Sequence, residues 1–179
     1  MPPEFTKLAA VLGSMNERAK AAIPNGDPAE FLADLQAVLA EDSARTAQDG
    51  GVSLLYLCDK QHYLPEGYEP PDLVNLQGNA AYSVNRSNLY LRASVERQLR
   101  ALGEAARADG ITLLVSSTYR SYNYQITVYN RLVALDGQEQ ADRESARPGT
   151  SQHQLGTVVD FGSIDPSWEP TADCQWLLQ

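Results

Sequence analysis

An amphipathic run over residues 89–108 ends on Asp109-Gly110 and passes at once into the apolar segment Ile111-Thr-Leu-Leu-Val-Ser-Ser-Thr118. This junction constrains the fold more than any other feature of the chain. Leu91, Val95, Leu99, Leu102 and Ala106 recur at helical spacing, which predicts one long helix over 89–108. A glycine just past the last periodic residue supplies the left-handed turn that ends a helix. The apolar segment after it predicts a buried strand over 111–118. A further helix is predicted over 122–135. Residues 136–150 are polar and predict a loop or short helix with a turn at Pro148-Gly149, and a last strand is expected over 157–161. Helices and strands alternate without a Gly-rich phosphate loop, so the class expected is α+β rather than a nucleotide-binding doubly wound sheet.

The first 48 residues have a different character. Leu8, Ala9, Leu12, Met15, Ala19 and Ala22 predict a helix within 5–24, and Phe31, Leu32, Leu35, Val38 and Leu39 predict a second one. Asn25-Gly-Asp-Pro28 separates them and offers a cap. Residues 1–48 are therefore expected to form an N-terminal helical hairpin that packs as an appendage. Gln48-Asp-Gly-Gly51 marks the boundary with a body over 49–179. At its start, residues 52–58 form a short β-prone apolar run. Residues 64–73 carry three prolines and are expected to be extended and irregular.

Lys and Arg number 14 against 23 Asp and Glu, a net charge of −9. Such a chain repels phosphate backbones and anionic lipid, which argues against nucleic acid and membrane surfaces as general partners. Cys58 and Cys174 lie far apart with no metal-finger spacing, and either a disulfide or two separate thiols is open. No apolar run reaches the length of a membrane-spanning helix. The first residues lack the basic and apolar regions of an export signal.

Chemistry concentrates in Ser151-Gln-His153-Gln-Leu-Gly156-Thr-Val-Val-Asp160. Imidazole nitrogen and carboxylate oxygen are both zinc donors, and a turn at Gly156 would fold His153 and Asp160 toward one ion. From spacing alone this is weak evidence for a metal, and a surface histidine with a turn-capping aspartate is the simpler explanation.

The longer pattern adds a resemblance. Ser151-x-His153-x-x-Gly156-x-x-x-Asp160 resembles the S-x-H-x-x-G-x-A-x-D motif of the VanY-like D-alanyl-D-alanine carboxypeptidases, zinc proteins of the lysostaphin and hedgehog group, with Val158 at the usual small position. Ser117-Thr-Tyr119-Arg120-Ser121-Tyr122-x-x-Gln125 resembles that family's preceding S-x-Y-R-S-x-x-x-Q block. Asp59-Lys-Gln-His62-Tyr-Leu64-Pro65 through Pro70-Pro71-Asp-Leu73 resembles its N-K-x-H-P-L-P…P-x-D-L segment. Three blocks in the family's order span about residues 52–162.

The resemblance implies a hedgehog/DD-peptidase-like body with a small antiparallel sheet flanked by helices, and a Zn2+ cofactor. It makes His153 and Asp160 two of three metal ligands. Arg120 becomes the cation that holds substrate carboxylate or stabilises the oxyanion. Ser151 and Gln125 become polar groups that help fix the peptide's terminal carboxylate, or else a cap and a donor behind the site. Tyr119 lines the pocket or belongs to the core, and His62 is expected to be structural.

The family's third ligand is a His in an E-P-W-H-like block whose Glu is the general base. This chain has two histidines and none after His153; Trp168-Glu169-Pro170 is followed by Thr171 and Ala172. Glu169 is therefore not assigned as the base. The expectation is a C-terminally truncated domain that binds zinc weakly. The function implied is a zinc carboxypeptidase removing terminal D-alanine from peptidoglycan stem peptides in the bacterial envelope. An L,D-carboxypeptidase on the same peptides, or a non-catalytic peptide binder, stands as the alternative.

Overall fold

The computed structural model describes residues 3–23, 27–48 and 52–179, and its contacts divide the chain into Met1–Leu55 and Tyr56–Gln179. In the first unit, helices α1 (Pro3–Gly13) and α3 (Pro28–Gln48) pack on each other, and α2 (Glu17–Lys20) is a single short turn between them. The helix expected over 5–24 is thus broken after Gly13. Ser14 folds its hydroxyl back onto the Val11 carbonyl at 2.8 Å, and Asn16 accepts from the Ala19 N–H at 2.9 Å, which ends one helix and caps the next. Asn25 and Gly26 lie outside the described residues, as do residues 49–51 of the expected boundary. Asp27 caps α3 by accepting from the Ala29 N–H at 2.8 Å.

The β-prone run over 52–58 contains no strand. Asp42, buried on α3, accepts from the Ser53 hydroxyl and the Leu54 N–H, both at 2.5 Å, and turns the segment instead. An apolar run becomes a strand only where a ladder partner exists, and here a carboxylate takes the backbone donor.

The second unit is built on five short strands and four helices. β1 (Leu73–Asn75) pairs antiparallel with β3 (Tyr90–Arg92); β4 (Leu114–Ser117) lies between β2 (Ser83–Val84), parallel to it, and β5 (Asp160–Phe161), antiparallel. The helices are α4 (Ala93–Ala108), α5 (Tyr122–Asp136), α6 (Gln138–Glu144) and α7 (Ala172–Leu177). The class is α+β, as expected. Three elements are shorter than the sequence predicts, and the strand expected over 111–118 is reduced to Leu114–Ser117. Residues 90–92 form β3 rather than the first turn of α4, because their backbone pairs with β1, with Leu91 and Arg92 both buried. Residues 157–159 do not join β5, whose register with β4 shifts between Val115 and Ser117.

Leu76, Tyr82, Leu89, Leu91, Leu99, Leu113 and Val115 fill the core between α4 and the strands. A Cβ on Gly103 would stand 2.7 Å from the Ala81 carbonyl oxygen, so α4 approaches this close only with glycine there. Arg92 is 2% exposed and donates from Nε to Asp72 at 2.8 Å. Cys58 and Cys174 are separate buried thiols, and burial pushes Cys58 up to about 11.

Candidate active site

β4 carries the chain from the core to the surface and ends at Ser117, opposite Asp160 of β5. The next three residues are fixed by backbone bonds on both sides. The Tyr90 N–H donates to the Thr118 hydroxyl at 3.1 Å, the Tyr119 N–H donates to the Tyr90 carbonyl at 3.0 Å, and the Arg120 N–H donates to the His153 carbonyl at 3.1 Å. One short loop therefore holds the Arg120 and His153 backbones in register.

His153 sits in a 3₁₀ turn (Gln152–Leu155) that ends on Gly156 at φ +71°. That left-handed turn reverses the chain between His153 and Asp160. A Cβ on Gly156 would lie 3.1 Å from both Arg92 Cγ and Leu73 Cδ2, and its carbonyl accepts from the Arg92 N–H at 3.1 Å. The buried Arg92 and β1 thus back the turn.

His153 Nε2 and Asp160 Oδ2 stand 3.3 Å apart. On the other side of the ring, Nδ1 lies 2.6 Å from the Thr118 carbonyl oxygen. A carbonyl only accepts, so Nδ1 bears the proton, and the lone pair of the neutral ring is on Nε2, toward the carboxylate. Two acceptors face each other at this distance only with a proton or a metal cation between them. Two donors on one tetrahedral zinc stand roughly 3.4 Å apart, so the pair fits two zinc positions, and the Thr118 carbonyl orients the imidazole as outer hydrogen bonds do in metal sites. Among the described residues, no group of three His, Cys, Asp or Glu side chains gathers here or elsewhere. When the ring is instead protonated, the His153 hydrogen bond and charge, with the Arg120 guanidinium and the Ser117 hydroxyl, hold the Asp160 carboxyl below its usual range against the effect of burial.

Arg120 donates from Nη1 to Gln125 Oε1 at 2.9 Å and from Nη2 to Ser117 Oγ at 3.2 Å. Burial pulls its guanidinium below the ordinary value, and Asp160 opposes that shift. Gln125 is 0% exposed, and its amide nitrogen donates to Ser145 Oγ at 3.1 Å and to the Ala146 carbonyl at 2.6 Å. With both ends of the amide engaged, Gln125 stands behind Arg120 and presents no atom to the cleft. Ser151 is buried at the start of the 3₁₀ turn, and its side chain makes no capping bond. Tyr119 borders a cavity of about 320 Å³ together with Arg120, and burial beside Glu69 pushes its phenol up to about 12. His62 lies apart, exposed, with Nδ1 2.9 Å from Asp59. Glu169 is exposed at the end of a 3₁₀ turn.

Ser117 and Thr118 belong to this site, although sequence reading singled out neither. Ser117 lies in the block that contains Arg120, which was the available signal. Nothing in the sequence marks the Thr118 carbonyl, since any residue supplies one.

A histidine on a 3₁₀ turn and an aspartate at the start of β5 thus face each other across a glycine turn, with a fixed guanidinium beside them. Residues 88–179 match the VanY family, D-alanyl-D-alanine carboxypeptidase, and the chain belongs to that family. The putative carboxypeptidase YodJ of Bacillus subtilis (strain 168) is 32% identical over 131 residues, covering 70% of this chain and 48% of its own. The chain spans about half the length of the curated relatives it matches. Among solved structures, the LD-carboxypeptidase LdcB, described for peptidoglycan recognition, superposes with a TM-score of 0.62 at 31% identity, covering 70% of this chain and 61% of LdcB. A vancomycin-resistance D,D-pentapeptidase VanY in complex with Zn(II) gives 0.50 at 26% identity, covering 64% and 68%.

Proposed function

We propose that the chain carries the substrate cation and two metal ligands of a zinc D,D-carboxypeptidase that removes terminal D-alanine from peptidoglycan stem peptides. The observation that carries this reading is the facing pair of acceptors, His153 Nε2 and Asp160 Oδ2, with Nδ1 already committed to Thr118. In this reading residues 49–179 form the carboxypeptidase domain, residues 1–48 its helical appendage, and the site of action is the bacterial envelope. No helix among the described residues is long and apolar enough to cross a membrane.

Bound at His153 and Asp160, zinc would supply Lewis acidity and a water of lowered pKa. The protein's own residues do the rest. Thr118 fixes the imidazole, and the Arg120 guanidinium helps keep Asp160 ionised. Gln125 and Ser117 hold two N–H groups of Arg120, leaving three of its five to grip a carboxylate or a developing oxyanion. Ser151 and Tyr119 border the same peptide.

A second reading, an L,D-carboxypeptidase, is favoured by the likeness to LdcB. One assay tests both: D-alanine release, with and without added zinc, from a peptide ending in D-Ala-D-Ala and from one ending in an L-residue followed by D-Ala. The first reading expects zinc-dependent release from the former and none from Asp160→Ala. Release from the latter alone supports the second, and no release from either supports a non-catalytic binder.

A further inference from the structure

The cavity beside Arg120 contains a second guanidinium that the zinc-site reading leaves unused. Arg86 and Arg120 line one cavity of about 320 Å³, together with Asn88, Tyr90, Tyr119 and Tyr124. No Asp or Glu is among its lining residues. The nearest acids act from outside it: Asp160 on Arg120, and Glu69 on Tyr119. Arg86 is exposed and has no ion pair among the described residues. Its charge works against that of Arg120. Two like charges facing one cavity, in a chain of net charge −9, lower each other's stability until an anion enters between them.

We propose that Arg86 is a specificity-determining residue that anchors a second carboxylate of the ligand, next to the one Arg120 holds. The ligand class is then a peptide or acylated amino acid with two acidic groups, the second on the side chain of its terminal or adjacent residue. Arg86 matches a carboxylate in charge and in its planar fork, and the tyrosines offer apolar faces to the ligand's stem. The volume exceeds what a single alanine fills and suits a longer acidic side chain. The proposal rests on the reading of Arg120 as a carboxylate anchor.

The test uses N-acetyl-D-glutamate and its near-isostere N-acetyl-D-glutamine, titrated against the full chain and followed by the backbone amide signals of Tyr90, Tyr119 and Tyr124. The acid is expected to bind roughly three- to fivefold more tightly than the amide, the size of an exposed charge pair. That preference should shrink with added salt, fall to about one in Arg86→Gln, and survive in Arg86→Lys. An unchanged preference in Arg86→Gln, or no preference in the wild type, overturns the proposal. Hydrolysis of the D-Ala-D-Ala peptide is scored separately. Active hydrolysis without an acid preference refutes the role of Arg86 alone, and an acid preference without hydrolysis upholds it while striking the peptidase reading.

Discussion

Replacing Gly156 with alanine tests how tightly the fold backs the turn between His153 and Asp160. Two costs add. A left-handed φ of +71° is unfavourable for a residue with a Cβ by about 1–2 kcal/mol. The new methyl would also stand 3.1 Å from Arg92 Cγ and from Leu73 Cδ2, and 3.4 Å from Pro70 Cγ. Arg92 is buried and held by the half-buried Asp72, and cannot swing away without breaking that ion pair, so crowding adds about 1 kcal/mol or more. The expected loss is about 2–3 kcal/mol. Gly110 provides the control: its φ is +79°, but a methyl there would meet no atom within 4 Å, so Gly110→Ala should cost only about 1–2 kcal/mol. Urea unfolding of both variants isolates the crowding as their difference. Equal costs, or a Gly156→Ala variant within about 0.5 kcal/mol of wild type, would refute the claim that β1 and Arg92 brace the turn.

Gln125→Leu should unfold at lower denaturant, by about 2–3 kcal/mol, because it strands the Arg120 Nη1 and the Ala146 carbonyl without partners; it should also lower kcat/KM for any peptide that Arg120 holds. Ser94→Ala should be neutral or stabilising by up to about 1 kcal/mol in the same unfolding assay, since the Ser94 hydroxyl is buried without a partner among the described residues and alanine is the better helix former. The Asp142 carboxyl is pushed far down, first by the Arg147 hydrogen bonds and then by the Tyr129 hydroxyl. A lowered folded-state pKa adds stability above the unfolded value, and that stability is lost as the pH falls through the folded one. Asp142→Asn should therefore flatten the acid limb of the stability curve below about pH 4, while an unchanged limb would count against the pair.

The sequence carried the site further than it carried the fold's edges. His153, Asp160, Arg120 and Gln125 are local features of two motifs, and the structure gathers them around the ends of β4 and β5, with His153 on a 3₁₀ turn and Gln125 on α5. What those motifs did not specify depends on long-range pairing. Leu91 fits either a strand or the helical face that continues through Val95 and Leu99, and only the β1 partner selects the strand. Val52 to Cys58 has the composition of a strand but meets the Asp42 carboxylate instead of a ladder. The same limit hid Thr118, whose contribution is a backbone carbonyl, and left Gln125 open between cleft and support until its burial was known.

The central claim is that His153 and Asp160 share one zinc ion. Zinc titration of the wild-type chain beside Asp160→Ala and His153→Ala, with the His153 ring followed through its carbon-bound proton signals, tests it most directly. The account predicts that zinc shifts the His153 signals in the wild type. It also predicts that either substitution weakens binding by at least about tenfold, even if two ligands alone hold the ion loosely. Equal zinc affinity in all three proteins, or His153 signals that zinc leaves unmoved, would contradict it.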